Sequence, residues 1–293
     1  MSLCTLCPRE CGADRGAGEA GFCGAGEAAL VCRAAPHFGE EPCLSGARGS
    51  GAVFFAGCSL RCVYCQNHEI SRGAAGRPYT AEELRTLFLS LRDEGVHNLN
   101  LVTPTHFSAV LAEALDGLDL GVPVVWNSSG YERVETLRRL EGLVQVYLPD
   151  LKYMDAALSK RYSAAPDYPE VSLAAIREMY RQTGPFSLDG DALLRSGVLI
   201  RHLVLPGAAA VENTRKVIDA VAEHFPPEGV MFSLMAQYTP MPGLDTFPEL
   251  RRSVSAEEYD ACRRYLARSG IAHGYVQDLT SAGTELIPEF VIR

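Results

Sequence analysis

The sequence predicts an α/β chain, a partial (β/α)6 barrel preceded by a cysteine-rich, loop-rich cap, and three observations carry that expectation. From Gly51 onward, short β-branched or aromatic runs alternate with amphipathic segments of helical length, the pattern of parallel strands joined by helices. The alternation repeats six times, two units short of a closed eightfold barrel. Residues 1–51 break the pattern: they hold six of the ten cysteines (Cys4, Cys7, Cys11, Cys23, Cys32, Cys43), many glycines and little apolar periodicity. A segment with so small a core needs cross-links to fold. The expected division is therefore a cap over 1–51 and a barrel over 52–293.

Taken in order, the strand candidates are 52–56, 98–102, 122–126, 144–148, 198–205 and 230–235. The first helix starts at Thr80-Ala81-Glu82-Glu83, a capping box, and runs to about Arg92, where Gly95 stops the pattern. Segments 131–140, 170–181, 211–225 and 256–268 are the other helices, the last closed by Gly270. Residues 156–197 are longer than a simple strand-to-helix connection requires and have room for an inserted hairpin or substrate lid around 185–190. Cys262, inside the last helix, reads as an ordinary buried thiol.

A chain of 293 residues with 47% hydrophobic content can bury a large core. With 27 Lys+Arg against 36 Asp+Glu the formal charge is −9 and there is no basic run, which argues against nucleic acid as the main partner. No apolar stretch approaches the length of a membrane span, and residues 1–20 lack a secretory pattern. The expected compartment is the cytoplasm, where thiols stay reduced and dense cysteines mean metal or redox chemistry rather than disulfides.

Ligands of parallel α/β folds bind at the carboxyl ends of the strands. The first strand runs into Gly57-Cys58-Ser59-Leu60-Arg61-Cys62-Val63-Tyr64-Cys65, three cysteines within eight positions. Two sites fit three thiolates: structural zinc with a fourth ligand such as His68, or a four-iron cluster with one iron left open. The other strand ends bring Thr103 and Thr105, Asn127 and Ser128, Asp150 and Lys152, Arg201, and Gln237 to the same rim. His68 and His106 read as loop or core histidines more readily than as ligands. In the cap, Cys4, Cys7, Cys11 and Cys23 have C-x2-C-x3-C-x11-C spacing, a candidate second metal site for zinc or an auxiliary iron–sulfur cluster. Cys32 and Cys43 either complete that site or stand apart, Cys43 near the barrel mouth.

The C-x3-C-x-aromatic-C segment after the first strand of a partial α/β barrel resembles the radical S-adenosylmethionine (SAM) superfamily. That resemblance implies a [4Fe-4S] cluster on Cys58, Cys62 and Cys65, with SAM chelating the open iron. More narrowly, the rim is similar to that of glycyl-radical-enzyme activating enzymes related to pyruvate formate-lyase activating enzyme. Tyr64 matches the residue that supports adenine, Asp150 and Lys152 match a D-x-K, and Arg201 with Val204-Leu205-Pro206-Gly207 matches the fifth strand. The N-terminal C-x2-C-P-R-x-C-G, Cys4 to Gly12, resembles a PflX-like branch. One turn departs: where the family carries Gly-Gly-Glu to receive the SAM amino group, this chain has Thr103-Pro104-Thr105, whose hydroxyls are the candidate acceptors together with backbone carbonyl groups.

The function implied is an oxidoreductase that cleaves SAM reductively to a 5′-deoxyadenosyl radical, which takes hydrogen from a substrate. The leading expectation is an activase of a glycyl radical enzyme, a monomer reduced by a low-potential donor such as flavodoxin or ferredoxin. Two alternatives stay open: the same chemistry on a small molecule or peptide, and a non-catalytic zinc-stapled binding protein.

Overall fold

The computed structural model describes residues 3–72, 76–281 and 290. In chain order its regular elements are β1 (Ala29–His37), α1 (Pro42–Ser45), β2 (Ser50–Phe55), α2 (His68–Ser71), β3 (Arg77–Tyr79), α3 (Ala81–Asp93), β4 (Leu99–Val102), α4 (Ser108–Leu115), β5 (Val124–Ser128), α5 (Val134–Arg138), β6 (Val146–Pro149), α6 (Ala156–Ser163), α7 (Tyr168–Thr183), β7 (Ser187–Leu188), β8 (Leu194–Leu203), α8 (Ala208–His224), β9 (Met231–Met235), α9 (Ala256–Leu266) and β10 (Gly274–Val276). The strands join in the order β10-β9-β8-β6-β5-β4-β2-β1-β3, with β7 on β8. From β2 to β10 every neighbouring pair on this path is parallel. This is the α/β partial barrel the alternation predicts.

The strands build two sides by their period of two. Val53, Phe55, Leu101, Trp126, Tyr147, Val198 and Ile200 face the helices and form the large core. Their alternates face the barrel interior: Ala52, Phe54 and Val102 in one group, Val125, Val146, Leu148, Leu199 and Met231 in another. Both faces are covered, so the parallel strands read as continuous apolar runs. Helix α3 begins as expected, with Thr80 Oγ1 accepting the Glu83 N–H and the Glu83 carboxylate accepting the Thr80 N–H.

Several elements differ from the sequence expectation. β10 adds a seventh parallel strand; it has three residues and none is buried, so it carries no apolar signal. β1 lies within the segment grouped with the cap, yet it pairs antiparallel with β2, whose first residues Ser50 and Gly51 precede the expected boundary. The hairpin expected near 185–190 is present as β7, but it pairs with the beginning of β8, at the end of the sheet opposite the strand-end rim, so it is no lid. Residues 131–140 form only the short α5, and α4 and α6 are helices the pattern did not show.

Between β1 and β2 the chain enters the barrel. Helix α1 places Cys43 and Leu44 against Val125, Val146, Leu148 and Leu199. Cys43 is thus an interior packing residue rather than a group at the mouth. Glu40 and Glu41, just before this plug, meet Arg201 of β8.

A three-cysteine cavity at the strand ends

Cys58, Cys62 and Cys65 line one cavity together with Tyr64, Thr103, Asn127, Ser128, Asp150, Lys152, Arg201 and Gln237. All but one of the rim residues singled out in the sequence therefore converge there; Thr105 does not. Its hydroxyl donates to Glu132 Oε1 at 2.6 Å, and it is fully buried behind the site, which removes it as an acceptor for a bound amino group.

The start of the loop that carries the thiols is held from two sides. Gly57 has φ +81°, and a Cβ there would lie 2.4 Å from the Cys23 carbonyl oxygen, so the turn from β2 into the loop requires glycine. On the far side, Arg9 of the N-terminal C-P-R-x-C segment donates to the carbonyls of Ser59, Ser163 and Ala164, and its guanidinium stacks on Phe22 and Tyr131.

Charge at the cavity is arranged around those thiols. Burial raises the Cys58 and Cys62 thiols above the usual range, and each is pushed further by neighbouring cysteines. Burial also disfavours the Lys152 ammonium, but Asp150, Cys62 and Tyr168 outweigh it and hold Lys152 charged. Lys152 is ion-paired to Asp150. Tyr168, Gly130 and Asn213 set this pair in place. The Tyr168 hydroxyl lies 2.7 Å from Ser129 O and 2.8 Å from Asp150 O and accepts the Lys152 N–H at 3.0 Å. Asn213 accepts from the Met154 and Asp155 amides and donates to Lys152 O. Gly130, at φ +73°, lets Asp150 O approach where a Cβ would stand 2.2 Å away.

The cavity floor is ionic. Arg201 Nε donates to Glu41 at 2.9 Å, and its Nη2 pairs with both Glu40 and Glu41. Glu40 Oε1 also accepts from Asn100 at 2.8 Å and Asn127 at 3.3 Å. Arg201 is thus committed to two carboxylates of the N-terminal segment, a pairing across 160 residues that no local spacing announces.

Thr103 stands at the departing turn with φ +60°, a conformation strained for a β-branched residue. Its N–H is tied to Asn127 O at 2.8 Å, which holds the turn against that strain. Thr103→Gly is expected to stabilise the fold by about 1 kcal/mol, the released strain less the added entropy of the unfolded chain. A denaturant midpoint at or below that of the unmodified protein overturns this.

Behind the rim, Glu132 accepts from Thr105 and, at 3.2 Å, from Trp126, while its Oε2 has no partner. Burial pushes its carboxyl up to about 7. Its titratable neighbours are Cys7 and Tyr147. The folded state keeps this proton up to about pH 7 while the unfolded chain loses it near 4.5, so Glu132 costs stability as pH rises through that window. His106 and His202, kept neutral by burial down to about 4, act in the opposite sense below pH 6.5. The stability difference between Glu132→Gln and the unmodified protein isolates the carboxyl. It is expected to move by about 3 kcal/mol in favour of the variant between pH 4.5 and 7.5, measured by denaturant unfolding at each pH.

In the N-terminal segment Cys4 and Cys11 are in side-chain contact, Cys23 lies close enough to both to feel their charges, and Cys7 lies close to Cys4 and Cys23. Burial pushes Cys7 up to about 12. Burial also opposes ionisation of Cys11, yet the amides of Ala13 and Phe22, with Cys4 and Arg15, bring it below the usual thiol value. Cys32, on β1, packs instead against the interior group of Phe54 and Val102.

Among the described residues, no three His, Cys, Asp or Glu side chains surround a point that would hold a single metal ion. A structural zinc takes four protein ligands, whereas a four-iron cluster can be held by three thiolates. The donor set fits the cluster: three soft thiolates on one loop, facing a cavity, with Lys152 beside them. His68, the candidate fourth zinc ligand, is not among the residues that line the cavity.

Residues 52–190 match the Radical SAM superfamily. An uncharacterized protein of Methanocaldococcus jannaschii is 29% identical over 266 residues, 88% of this chain and 72% of that protein. Among solved structures, the chain is similar to SuiB of Streptococcus suis bound to S-adenosylmethionine, with a TM-score of 0.54 and 11% identity over 75% of this chain and 48% of SuiB. It is similar also to SuiB bound to precursor peptide SuiA, with a TM-score of 0.52 and 12% identity over 75% of this chain and 46% of SuiB. The chain thus spans about half the length of SuiB, and the likeness is one of fold.

Proposed function

We propose that the protein, whose residues 52–190 match the Radical SAM superfamily, is a radical SAM iron–sulfur oxidoreductase that activates a glycyl radical enzyme. The observation that carries the reading is the convergence of Cys58, Cys62 and Cys65 on a cavity whose other strand ends supply Asn127, Ser128, Asp150 and Lys152. When bound, a [4Fe-4S] cluster and SAM supply one-electron cleavage of the sulfonium and a 5′-deoxyadenosyl radical. The three thiolates would hold the cluster. Lys152 and Asp150 offer a cation and an anion to the carboxylate and hydroxyl groups of a bound SAM, and Thr103 offers its hydroxyl to the amino group. Tyr64, nearly buried and edge-on to Tyr238 at 6.3 Å, gives the cavity an aromatic wall.

A second reading, a small molecule or peptide as hydrogen donor, is favoured by one observation. Glu40, Glu41 and α1 fill the barrel interior beneath the cavity, which leaves that space unavailable to a deeply inserted protein loop.

The partners that follow from the first reading are a glycyl radical enzyme and a low-potential reductant such as flavodoxin or ferredoxin, acting on a cytoplasmic monomer. Among the described residues no helix is long and apolar enough to cross a membrane. The N-terminal cysteines remain the candidate for zinc or an auxiliary cluster. The test is anaerobic reconstitution with iron and sulfide, a count of iron, sulfide and zinc, then dithionite and SAM. About four irons and 5′-deoxyadenosine support the enzyme; zinc alone, with no SAM cleavage, returns the zinc-stapled protein. A glycyl radical signal in a candidate partner enzyme separates the first reading from the second.

A further inference from the structure

We propose that three buried hydroxyls, those of Tyr64, Tyr153 and Ser163, form a chain that ends on the sulfur of Cys62 and raises the reduction potential of the cluster held there. This rests on the cluster assignment above. The Tyr64 and Tyr153 oxygens are 2.6 Å apart, Tyr153 Oη is 2.8 Å from Ser163 Oγ, and Ser163 Oγ is 3.0 Å from Cys62 Sγ. Tyr153 and Ser163 are fully buried and Tyr64 nearly so.

Each hydroxyl has one hydrogen, so the direction of the chain is set from one end. A cysteine bound to iron has no proton and its sulfur only accepts. Ser163 therefore donates to Cys62, its oxygen accepts from Tyr153, and Tyr153 accepts from Tyr64. All three hydrogens point toward the sulfur, an arrangement in which each bond strengthens the next. The backbone around Ser163 fixes its hydroxyl against the sulfur. Ser163 is the last residue of α6, Ala164 after it is left-handed at φ +52°, and the Ser163 carbonyl accepts from Arg9 and from the Arg61 N–H.

Reduction adds one electron to the cluster and no proton to Cys62; the hydrogen stays on Ser163. The added negative charge makes the sulfur a better acceptor, so the chain favours the reduced state and raises the potential. The bland alternative is that three buried hydroxyls merely satisfy one another. In that case the potential is indifferent to them.

The test uses the full chain, reconstituted anaerobically, with the cluster midpoint measured by dithionite titration under electron paramagnetic resonance and no SAM added. Ser163→Ala is expected to lower the reduction equilibrium constant about tenfold, a midpoint more negative by about 59 mV for one electron. Tyr153→Phe keeps Ser163 and removes its donor, so it should shift the midpoint the same way by less, and Tyr64→Phe by less again. An unchanged or more positive midpoint in Ser163→Ala at full iron content overturns the proposal. If that variant does not retain iron, Tyr153→Phe decides alone, and a midpoint equal to that of the unmodified protein overturns the chain. Failure of the unmodified protein to take up about four irons is visible before any variant is made, and removes the cluster assignment together with the proposal.

Discussion

Cys58→Ala should leave a folded protein that takes up no stable cluster at the barrel rim and forms 5′-deoxyadenosine only at the background of cluster-free protein. Three thiolates are the fewest that hold a four-iron cluster while leaving one iron open, so loss of one leaves two irons without protein ligands. The fold itself has little at stake, because Cys58 lies on a loop at the cavity and its sulfur accepts one long bond, from the Leu60 N–H at 3.4 Å. Cys262→Ala is the control: it also removes a cysteine thiol, but a buried one in α9, outside the cavity. Iron content and SAM cleavage should persist there. Cleavage retained in Cys58→Ala would sink the ligand assignment, whereas iron lost equally from both variants would show only general damage.

Arg9→Ala should have the largest effect of any change outside the thiols. The guanidinium joins the cluster loop, through Ser59 O, to the end of α6, through Ser163 O and Ala164 O, and fills the space between Phe22 and Tyr131. Removing it takes the donor from the Ser59 and Ala164 carbonyls, leaves Ser163 O only the long bond from the Arg61 N–H, and empties an aromatic slot, a cost of about 2–4 kcal/mol. The loss should fall on the loop that carries Cys58, Cys62 and Cys65, so the cluster should bleach faster in air. Arg9→Lys keeps the charge but not the fork, and should recover little, since one ammonium cannot reach three divergent carbonyls while stacking on two rings. Unchanged iron retention in Arg9→Ala, at reduced global stability, would mean that the loop is held by other contacts.

What the sequence disclosed follows from the range of the interactions. The strand-to-cysteine-loop transition was legible because period, turn glycine and thiol spacing all lie within a dozen residues. The α3 capping box was legible for the same reason. By contrast, Ser163 sits in a segment that showed no chemistry, because its role depends on Cys62 and Tyr153 meeting it through the tertiary fold. Glu40, Glu41, Tyr168 and Asn213 escaped notice likewise: each acts on a partner brought close by another strand or helix. Thr105 misled in the opposite way. It adjoins the rim in sequence, but the short helical turn at Thr105–Phe107 directs its hydroxyl to Glu132 instead.

Two contacts tie the segment before the barrel to residues far along the chain. Arg9 awaits Ala164, and Glu41 awaits Arg201, separations of 155 and 160 residues. Contacts of such range close late in folding. A partly folded chain therefore holds the loop of Cys58, Cys62 and Cys65 without the Arg9 clasp. Until residues 164 and 201 have joined the fold, neither the Arg9 clasp nor the Glu41–Arg201 pair can form, so the order of the barrel rim is set by strands that lie far from the cysteine loop in sequence.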